Sequence, residues 1–280
     1  MATSLEIRPV NPVIGAEVSG VDLTAELDGA TIEAIRAALG RHGVLFFRDQ
    51  PIGLDHDRHI GFGRRFGDLH IHPAAELPER YPELLRIHAD ETSKGVAGNA
   101  WHSDVSCDAE PPMGSILALH TVPPSGGGDT MFSSMYAAYD ALSEPMKRFL
   151  EPLSAIHSGR HVYDRGGYRS DREYPESEHP LIRTHPETGR QALFVNSGFT
   201  TRIRGLARRE SDALLAMLFE HIAQPKFQCR FRWEAHSVAF WDNRCVQHYA
   251  VWDYFPEVRS GWRVTIKGDK PYYDAEPPQS

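Results

Sequence analysis

The stretch Trp101-His102-Ser103-Asp104 sets an imidazole and a carboxylate two residues apart. On an extended strand, residues i and i+2 leave the same face, so both side chains reach toward one point. Histidine and aspartate together are two thirds of the 2-His-1-carboxylate triad, which grips non-haem Fe(II) from one side and leaves the other side open. In a chain with 15 histidines and 38 acidic residues such a pair also arises by chance. A third ligand and a use for the open positions must come from elsewhere. His248, in the strand-and-turn stretch WDNRCVQHYA at 241–250, is the candidate, and only folding can bring it beside His102. Arg259 and Arg263 follow it, four apart, as candidate anion grips. Gly126-Gly127-Gly128-Asp129-Thr130 makes a tight turn that ends in a hydroxyl. The glycines do not form a Walker A loop, because the Lys-Ser/Thr that must follow is missing, and they read as a β-turn.

The elements that must position these groups are legible in outline. The first thirty residues mix short extended pieces with turns at Asn11-Pro12 and Ser19-Gly20. From about Thr31, the positions Ile32, Ile35 and Leu39 follow a helical period that Gly43 can end. A short buried strand, Val44 to Phe47, comes next. Asp55 is placed to cap a second helix with Ile60, Gly63 and Phe66 inward. Glu91 to Gly98 reads as a loop and candidate lid. Ser115 to His120 reads as a strand, and Ser134 to Leu153 as two short helices, the second beginning near Ser143 and Pro145. Tyr163 to Glu178, rich in Arg, Asp, Glu, Gly and Tyr, reads as a long mobile loop. Gln191 to Val195 is strand-like. Ser211 to Ala223 carries Leu214, Leu215, Leu218, Phe219 and Ile222 on one helical face. Strand signals close the chain at 227–233, 237–241 and 262–267. No repeat or linker divides it, so residues 1–280 are expected to form one domain of the α+β class, mainly β in its core, with peripheral helices.

Composition narrows the function. The 280 residues are 41% hydrophobic and 24% charged, ordinary for a globular protein. A net charge of −8 argues against a nucleic-acid binder, which needs a basic face. The three cysteines, Cys107, Cys229 and Cys245, form no Cys-x-x-Cys pair and suit a reducing compartment. No signal-peptide pattern opens the chain, and its apolar runs are too short to span a bilayer. The expectation is a cytoplasmic protein with no membrane partner.

The order of the motifs is itself informative. WHSDVS at 101–106, PPMGSILAL at 111–119, GGDT at 127–130 and HPLIRTHPETGRQALFVN at 179–196 are followed by GFTTRI at 198–203, WDNRCVQHYA at 241–250 and RVTIKGDKPYY at 263–273. In this order, across most of the chain, they resemble the Fe(II)/2-oxoglutarate-dependent dioxygenases of the taurine dioxygenase family, which includes alkylsulfatases and aryloxyalkanoate dioxygenases. The resemblance implies a distorted jelly roll, or double-stranded β-helix, with His102, Asp104 and His248 holding Fe(II). It implies 2-oxoglutarate as cosubstrate, its far carboxylate held by Thr130 and by Arg259, eleven residues after the distal histidine. A planar guanidinium suits that task, because it grips a carboxylate through two charge-assisted hydrogen bonds. With O2, the implied reaction releases succinate and CO2 and hydroxylates a small anionic organic substrate. It also implies a homo-oligomer, a dimer or tetramer.

The same resemblance nominates substrate contacts. Taurine enzymes grip the sulfonate with an arginine fifteen residues after the distal histidine, here Arg263, and with a histidine of an early His-x-His-Pro motif, here His72. Phe199 is expected as a pocket wall. Three positions depart from the taurine pattern: Ala75 replaces a tyrosine, Gly98 falls near an asparagine, and Gly159 follows Ser158 where a phenylalanine is usual. Each change removes bulk or a polar contact beside the amine end of taurine. The expectation is therefore a roomier pocket for a larger anion, a sulfonate, sulfate ester or carboxylate. The alternatives are taurine dioxygenase proper, which releases sulfite and aminoacetaldehyde, and a non-catalytic relative that binds a small anion. A zinc hydrolase is weaker, since two histidines and a carboxylate also suit zinc but no hydrolase base motif accompanies them.

Overall fold

The first helix, expected from about Thr31 to Gly43, starts two residues earlier because Asp28 caps it. In the computed structural model, which describes residues 5–73, 75, 77–165 and 173–275, the Asp28 carboxylate accepts from the Thr31 amide, and Gly43 donates its amide to the Leu39 carbonyl. The helix α1 therefore runs Gly29–His42 after strands β1 (Glu6–Pro9) and β2 (Ala16–Ser19). Strand β3 (Val44–Phe47) is buried throughout, and Asp55 caps α2 (His56–Arg64) by accepting from the Arg58 amide. Then come β4 (Leu84–Ala89), β5 (Gly114–Thr121), β6 (Thr130–Ser134), α3 (Met135–Asp140), α4 (Glu144–Leu150), β7 (Ser154–Ser158) and α5 (Arg160–Arg165). The chain continues through β8 (Glu176–Pro180), β9 (Ile182–Thr184), β10 (Gln191–Leu193), β11 (Thr200–Ile203) and α6 (Arg208–Ile222). It ends with β12 (Gln228–Phe231), β13 (Ser237–Asp242), β14 (Val246–Ala250) and β15 (Arg259–Ile266).

Seven strands form the main sheet in the order β1-β2-β3-β13-β5-β15-β4, antiparallel except for β2 beside β3. Side-chain alternation gives this sheet two apolar faces. One face carries Leu45, Phe47, Ile116, Ala118 and Phe240, packed against Ile32, Ile35 and Leu39 of α1 and Ile60 and Phe62 of α2. The other carries Phe46, Leu117, Leu119 and Trp241, packed against the smaller sheets. Three-stranded β12-β6-β14 lies there, with Phe46 stacked on Phe231 at 4.1 Å between centroids and Trp241 beside Phe132 at 5.8 Å. Burying each such side chain contributes about 1.5–3 kcal/mol. The chemistry-bearing residues sit within this second layer, between β5 and β15 on one side and β6 and β14 on the other.

Several elements differ from expectation. Asp104 is not on a strand: His102 forms an isolated bridge with His248, and Asp104 begins a turn. Strand β15 starts at Arg259 rather than Trp262, because pairing with β4 extends it through a stretch of low apolar content. Helix α6 begins three residues early, where Glu210 accepts from the Ala207 amide. Strands β4, β7 and β8 carry too little apolar alternation to stand out; their neighbours, not their composition, make them strands. The expected mobile loop at 163–178 is not wholly loop: Tyr163 to Arg165 end α5, Glu176 begins β8, and 166–172 lie outside the described residues. Among the described residues, no helix is long and apolar enough to cross a membrane.

Candidate metal centre

His102 and His248 meet through their backbones. The His102 amide donates to the His248 carbonyl at 3.1 Å and the His248 amide donates back at 2.9 Å, which sets the imidazoles side by side with centroids 4.1 Å apart. Each Nε2 lies 3.8 Å from Asp104 Oδ1, too long for a hydrogen bond. The three donor atoms all fall within 4.8 Å of one another. Two imidazole nitrogens and one carboxylate oxygen, converging without bonding to each other, fit a divalent ion of the Fe(II) type. The tautomer fits as well. His102 Nδ1 donates to the Ala100 carbonyl at 2.8 Å, which leaves the lone pair on Nε2, turned toward the cluster.

Electrostatics keep the donors in ligating form. Burial pulls both imidazoles below the ordinary histidine range, His248 strongly, so both are neutral at neutral pH. Burial pushes the Asp104 carboxyl up, yet Arg263, His248, His102 and the Ser115 hydroxyl together hold it well below the usual range. Asp104 is therefore an anion in a buried site. Ser115 Oγ donates to Oδ2 at 2.7 Å, and Arg263 Nη1 donates to Oδ1 at 2.6 Å.

A second buried cation stands nearby. Thr130 lies opposite Ala250 in the β6–β14 ladder, two residues from the pair Phe132 and His248. Antiparallel partners share a face, so the Thr130 hydroxyl and the His248 imidazole leave the sheet on the same side. Thr130 Oγ1 accepts from Trp233 Nε1 at 2.9 Å and from Arg259 Nη2 at 3.4 Å. Arg259 is 5% exposed, and among the described residues it has no carboxylate within ion-pair distance. Burial pulls its guanidinium down to about 10, so it remains charged at neutral pH. Gly128 makes room for it. The glycine has φ +82, and a Cβ there would lie 2.8 Å from Arg259 Cδ, a conformation and a closeness that only glycine takes without strain. A buried guanidinium with no carboxylate at ion-pair distance, set beside a hydroxyl, has the chemistry to receive a carboxylate.

The expected substrate contacts separate into two groups. Burial pulls His72 down to about 3, with Arg263 as the next cause, so it is neutral and within the field of the centre. Its Nδ1 accepts from the Ala75 amide at 3.0 Å, which leaves the proton on Nε2. Phe199 and Ser158 are adjacent, the Ser158 amide donating to the Phe199 carbonyl. Phe199 joins Val105, Cys107 and Tyr163 in a separate apolar cluster. Gly98 and Gly159 each stand against a neighbouring ring. Gly98, at φ +86, packs on a metal-site histidine; a Cβ there would lie 2.9 Å from His102 Cε1. Its lack of a side chain permits close approach to His102. At Gly159 the expected vacancy is filled, because a Cβ would lie 2.6 Å from Tyr163 Cε2. The Tyr163 ring, delivered by α5, stands 6.0 Å from Phe199 and 5.6 Å from His72. Tyr163 escaped notice in the sequence because it lies in a stretch with no apolar period.

Comparison with known proteins agrees with this geometry. The model of the "Taurine catabolism dioxygenase TauD, TfdA family" matches residues 6–265. The chain belongs to that family. A Pseudomonas putida alpha-ketoglutarate-dependent sulfate ester dioxygenase is 39% identical, over 96% of this chain and 92% of its own. The crystal structure of a putative alpha-ketoglutarate-dependent taurine dioxygenase from Burkholderia xenovorans superposes with a TM-score of 0.83 at 41% identity, covering 96% of this chain and 91% of that one. AAD-2, solved in complex with Mn(II) and N-oxalylglycine, superposes with a TM-score of 0.81 at 29% identity, covering 96% and 99%. As a TauD, TfdA family member the chain is a 2-oxoglutarate-dependent dioxygenase, an oxidoreductase that uses Fe(II), 2-oxoglutarate and O2.

Among the described residues this dioxygenase holds one further buried group of ligand types, His185, Asp242 and Cys245. Its donors are already engaged. Asp242 accepts from the Arg244 guanidinium on both oxygens and from His185 Nε2 at 3.0 Å, and Arg244 reaches Glu187 at 2.8 Å. Burial pushes the Cys245 thiol far up, so it stays protonated and ligates poorly. The group is a structural clamp on the turn between β13 and β14, the turn that delivers His248.

Proposed function

We propose that this dioxygenase hydroxylates a small anionic organic molecule with an apolar tail, a sulfonate, sulfate ester or carboxylate, with release of succinate and CO2. The observation that carries the reading is the pairing of a converging His102-Asp104-His248 cluster with two buried guanidinium groups on one strand. Arg259 and Arg263 are four residues apart on β15, so they leave the same face about 13 Å from each other. The strand thus offers one cation for the cosubstrate and one for the substrate.

In this reading His102, Asp104 and His248 hold Fe(II), which supplies oxidative decarboxylation of 2-oxoglutarate coupled to hydroxylation. Arg259 and Thr130 hold the far carboxylate of 2-oxoglutarate and set its orientation. Arg263, together with the neutral Nε2–H of His72, receives the anionic head of the substrate. Val105, Cys107, Tyr163 and Phe199 line the tail side, with Ser158 behind Phe199, and exclude water from it. That lining disfavours taurine, whose ammonium needs hydrogen-bond acceptors that an apolar wall does not supply. Asp108, the carboxylate that follows Cys107 in the chain, is already bonded by His70 Nε2 at 2.9 Å.

The two apolar layers and the superposition with family structures support a single domain over 1–280, folded as a distorted jelly roll with peripheral helices. The family resemblance supports a homo-oligomer, dimer or tetramer, and the buried, unpaired cysteines accord with a cytoplasmic location. Anaerobic addition of Fe(II) and 2-oxoglutarate tests the reading. A visible metal-to-ligand charge-transfer band is expected, and its absence would remove the claim. A panel of alkyl and aryl sulfonates, sulfate esters and carboxylates, followed by succinate and sulfite release, then identifies the head group. Turnover of taurine at least as fast as every larger anion would overturn the apolar-tail assignment.

A further inference from the structure

We propose that Asn243 and Ser115 are positioning residues that aim the Asp104 carboxylate at the metal and restrict it to one oxygen. The inference rests on His102, Asp104 and His248 being the metal ligands. Asn243 Oδ1 accepts from the Asp104 amide at 3.2 Å, and Asn243 Nδ2 donates to Ser115 Oγ at 3.2 Å. Ser115 Oγ in turn donates to Asp104 Oδ2 at 2.7 Å. The three residues close a ring of hydrogen bonds around one carboxylate. Oδ2 is occupied by the hydroxyl, and Oδ1, which also accepts from Arg263 Nη1 at 2.6 Å, is the atom that faces His102 and His248.

The ring is rigid because every member is enclosed. Ser115 is fully buried, Asn243 is 2% exposed and Asp104 is 3% exposed. The Asn243 carbonyl also accepts from Ser103 Oγ at 2.7 Å, so the residues on either side of the Ser103-Asp104 bond are tied to the same asparagine. That tie has a strained neighbour to hold, since Val105 follows with φ 46. A β-branched residue in the left-handed region stores about 1–3 kcal/mol of strain and persists only where its surroundings over-determine it. The same amide also reaches the ring that backs His248. Trp241 Nε1 donates to Asn243 Oδ1 at 3.0 Å, and the Trp241 ring packs on the His248 imidazole with centroids 4.6 Å apart. One side chain thereby registers Asp104 directly and His248 through the ring that backs it. Partners of this kind shift metal affinity by about 10–100-fold when removed.

The test uses the full chain stripped of metal, with Ser115→Ala and Asn243→Ala, titrated with Mn(II) and with Co(II). Thermal unfolding in a chelator measures the fold separately from the site. The proposal expects folded Ser115→Ala to bind Mn(II) about 10–100-fold more weakly and to show an altered Co(II) visible spectrum, since a carboxylate released at Oδ2 changes its denticity. Asn243→Ala is expected to be the weaker binder of the two, and if it fails to fold, Ser115→Ala decides alone. An affinity and Co(II) spectrum in Ser115→Ala equal to those of the parent would overturn the positioning role, even if turnover fell. Failure of the parent itself to bind either ion would instead sink the ligand assignment on which the inference stands.

Discussion

Arg263 Nη1 donates to Asp104 Oδ1 at 2.6 Å, so one buried guanidinium touches the carboxylate of the metal cluster while lying on the strand that also carries Arg259. Its Nε has no hydrogen-bond partner among the described residues. A cation so placed keeps Asp104 ionised and still has donor capacity for an incoming anion. Arg263→Gln is expected to raise KM for the substrate at least about tenfold, the loss of one charge-assisted contact of about 1.4 kcal/mol or more. KM for 2-oxoglutarate should change less. Steady-state kinetics with each varied in turn distinguish the two, and an unchanged substrate KM contradicts the assignment.

Arg259 carries the complementary prediction. Arg259→Gln removes the buried charge and is expected to raise KM for 2-oxoglutarate by about 10–100-fold, whereas Thr130→Val removes one hydroxyl and should cost about 1 kcal/mol. Gly128→Ala, which drives a Cβ toward Arg259 Cδ in a left-handed backbone, should resemble a mild form of Arg259→Gln and also lower stability. Binding of 2-oxoglutarate to the metal-loaded, anaerobic enzyme reads all three directly.

Gly159 and Tyr163 compete for one volume. Gly159→Phe alone meets the Tyr163 ring, and it is expected to destabilise by about 1–3 kcal/mol. Tyr163→Ala alone should lower KM for bulky-tailed substrates and raise it for short ones. In the double variant the phenylalanine occupies the space that the tyrosine left. Its destabilisation should therefore fall short of the sum of the single effects by about 1 kcal/mol. Denaturant unfolding measures this, and strict additivity would show that the two residues do not share the space.

Stability should fall on mild acidification. Burial pulls His59, His157 and His179 down to about 4, 3 and 4, against about 6.5 in an unfolded chain. Between those values the unfolded chain binds more protons than the folded one. The histidines' contribution is therefore complete above pH 6.5 and is lost as the pH drops toward 4, at up to about 1.4 kcal/mol per unit for each. Burial pushes Asp104 and Asp242 up, but Arg263 and Arg244 hold them low, so their contribution is lost only at still lower pH. Urea midpoints between pH 7.5 and 4.5 should decline, and His157→Gln should decline less steeply. A flat profile would contradict the buried-neutral assignment.

Local chemistry in the chain was enough to place its caps and its ligand types. Gly43 and Asp55 stop and start helices through bonds spanning a few residues, and His102, Asp104, His248 and Thr130 stand in motifs whose order resembles one family, with Arg259 placed by its spacing from His248. Strands β4, β7 and β8 could not be read this way, because a strand of mixed polarity is decided by the partner that pairs with it. Nor could the fate of a missing side chain. At Gly159 the chain records only an absence, and the ring that fills the space comes from α5. The Asn243–Ser115–Asp104 ring was hidden for a related reason. Both partner residues lie in recognisable motifs, yet hydrogen bonds between positions 104, 115 and 243 exist only once β5 and the turn after β13 have brought them together. The residue types were determined by the sequence itself, and tertiary packing decided which oxygen of Asp104 is left facing His102 and His248.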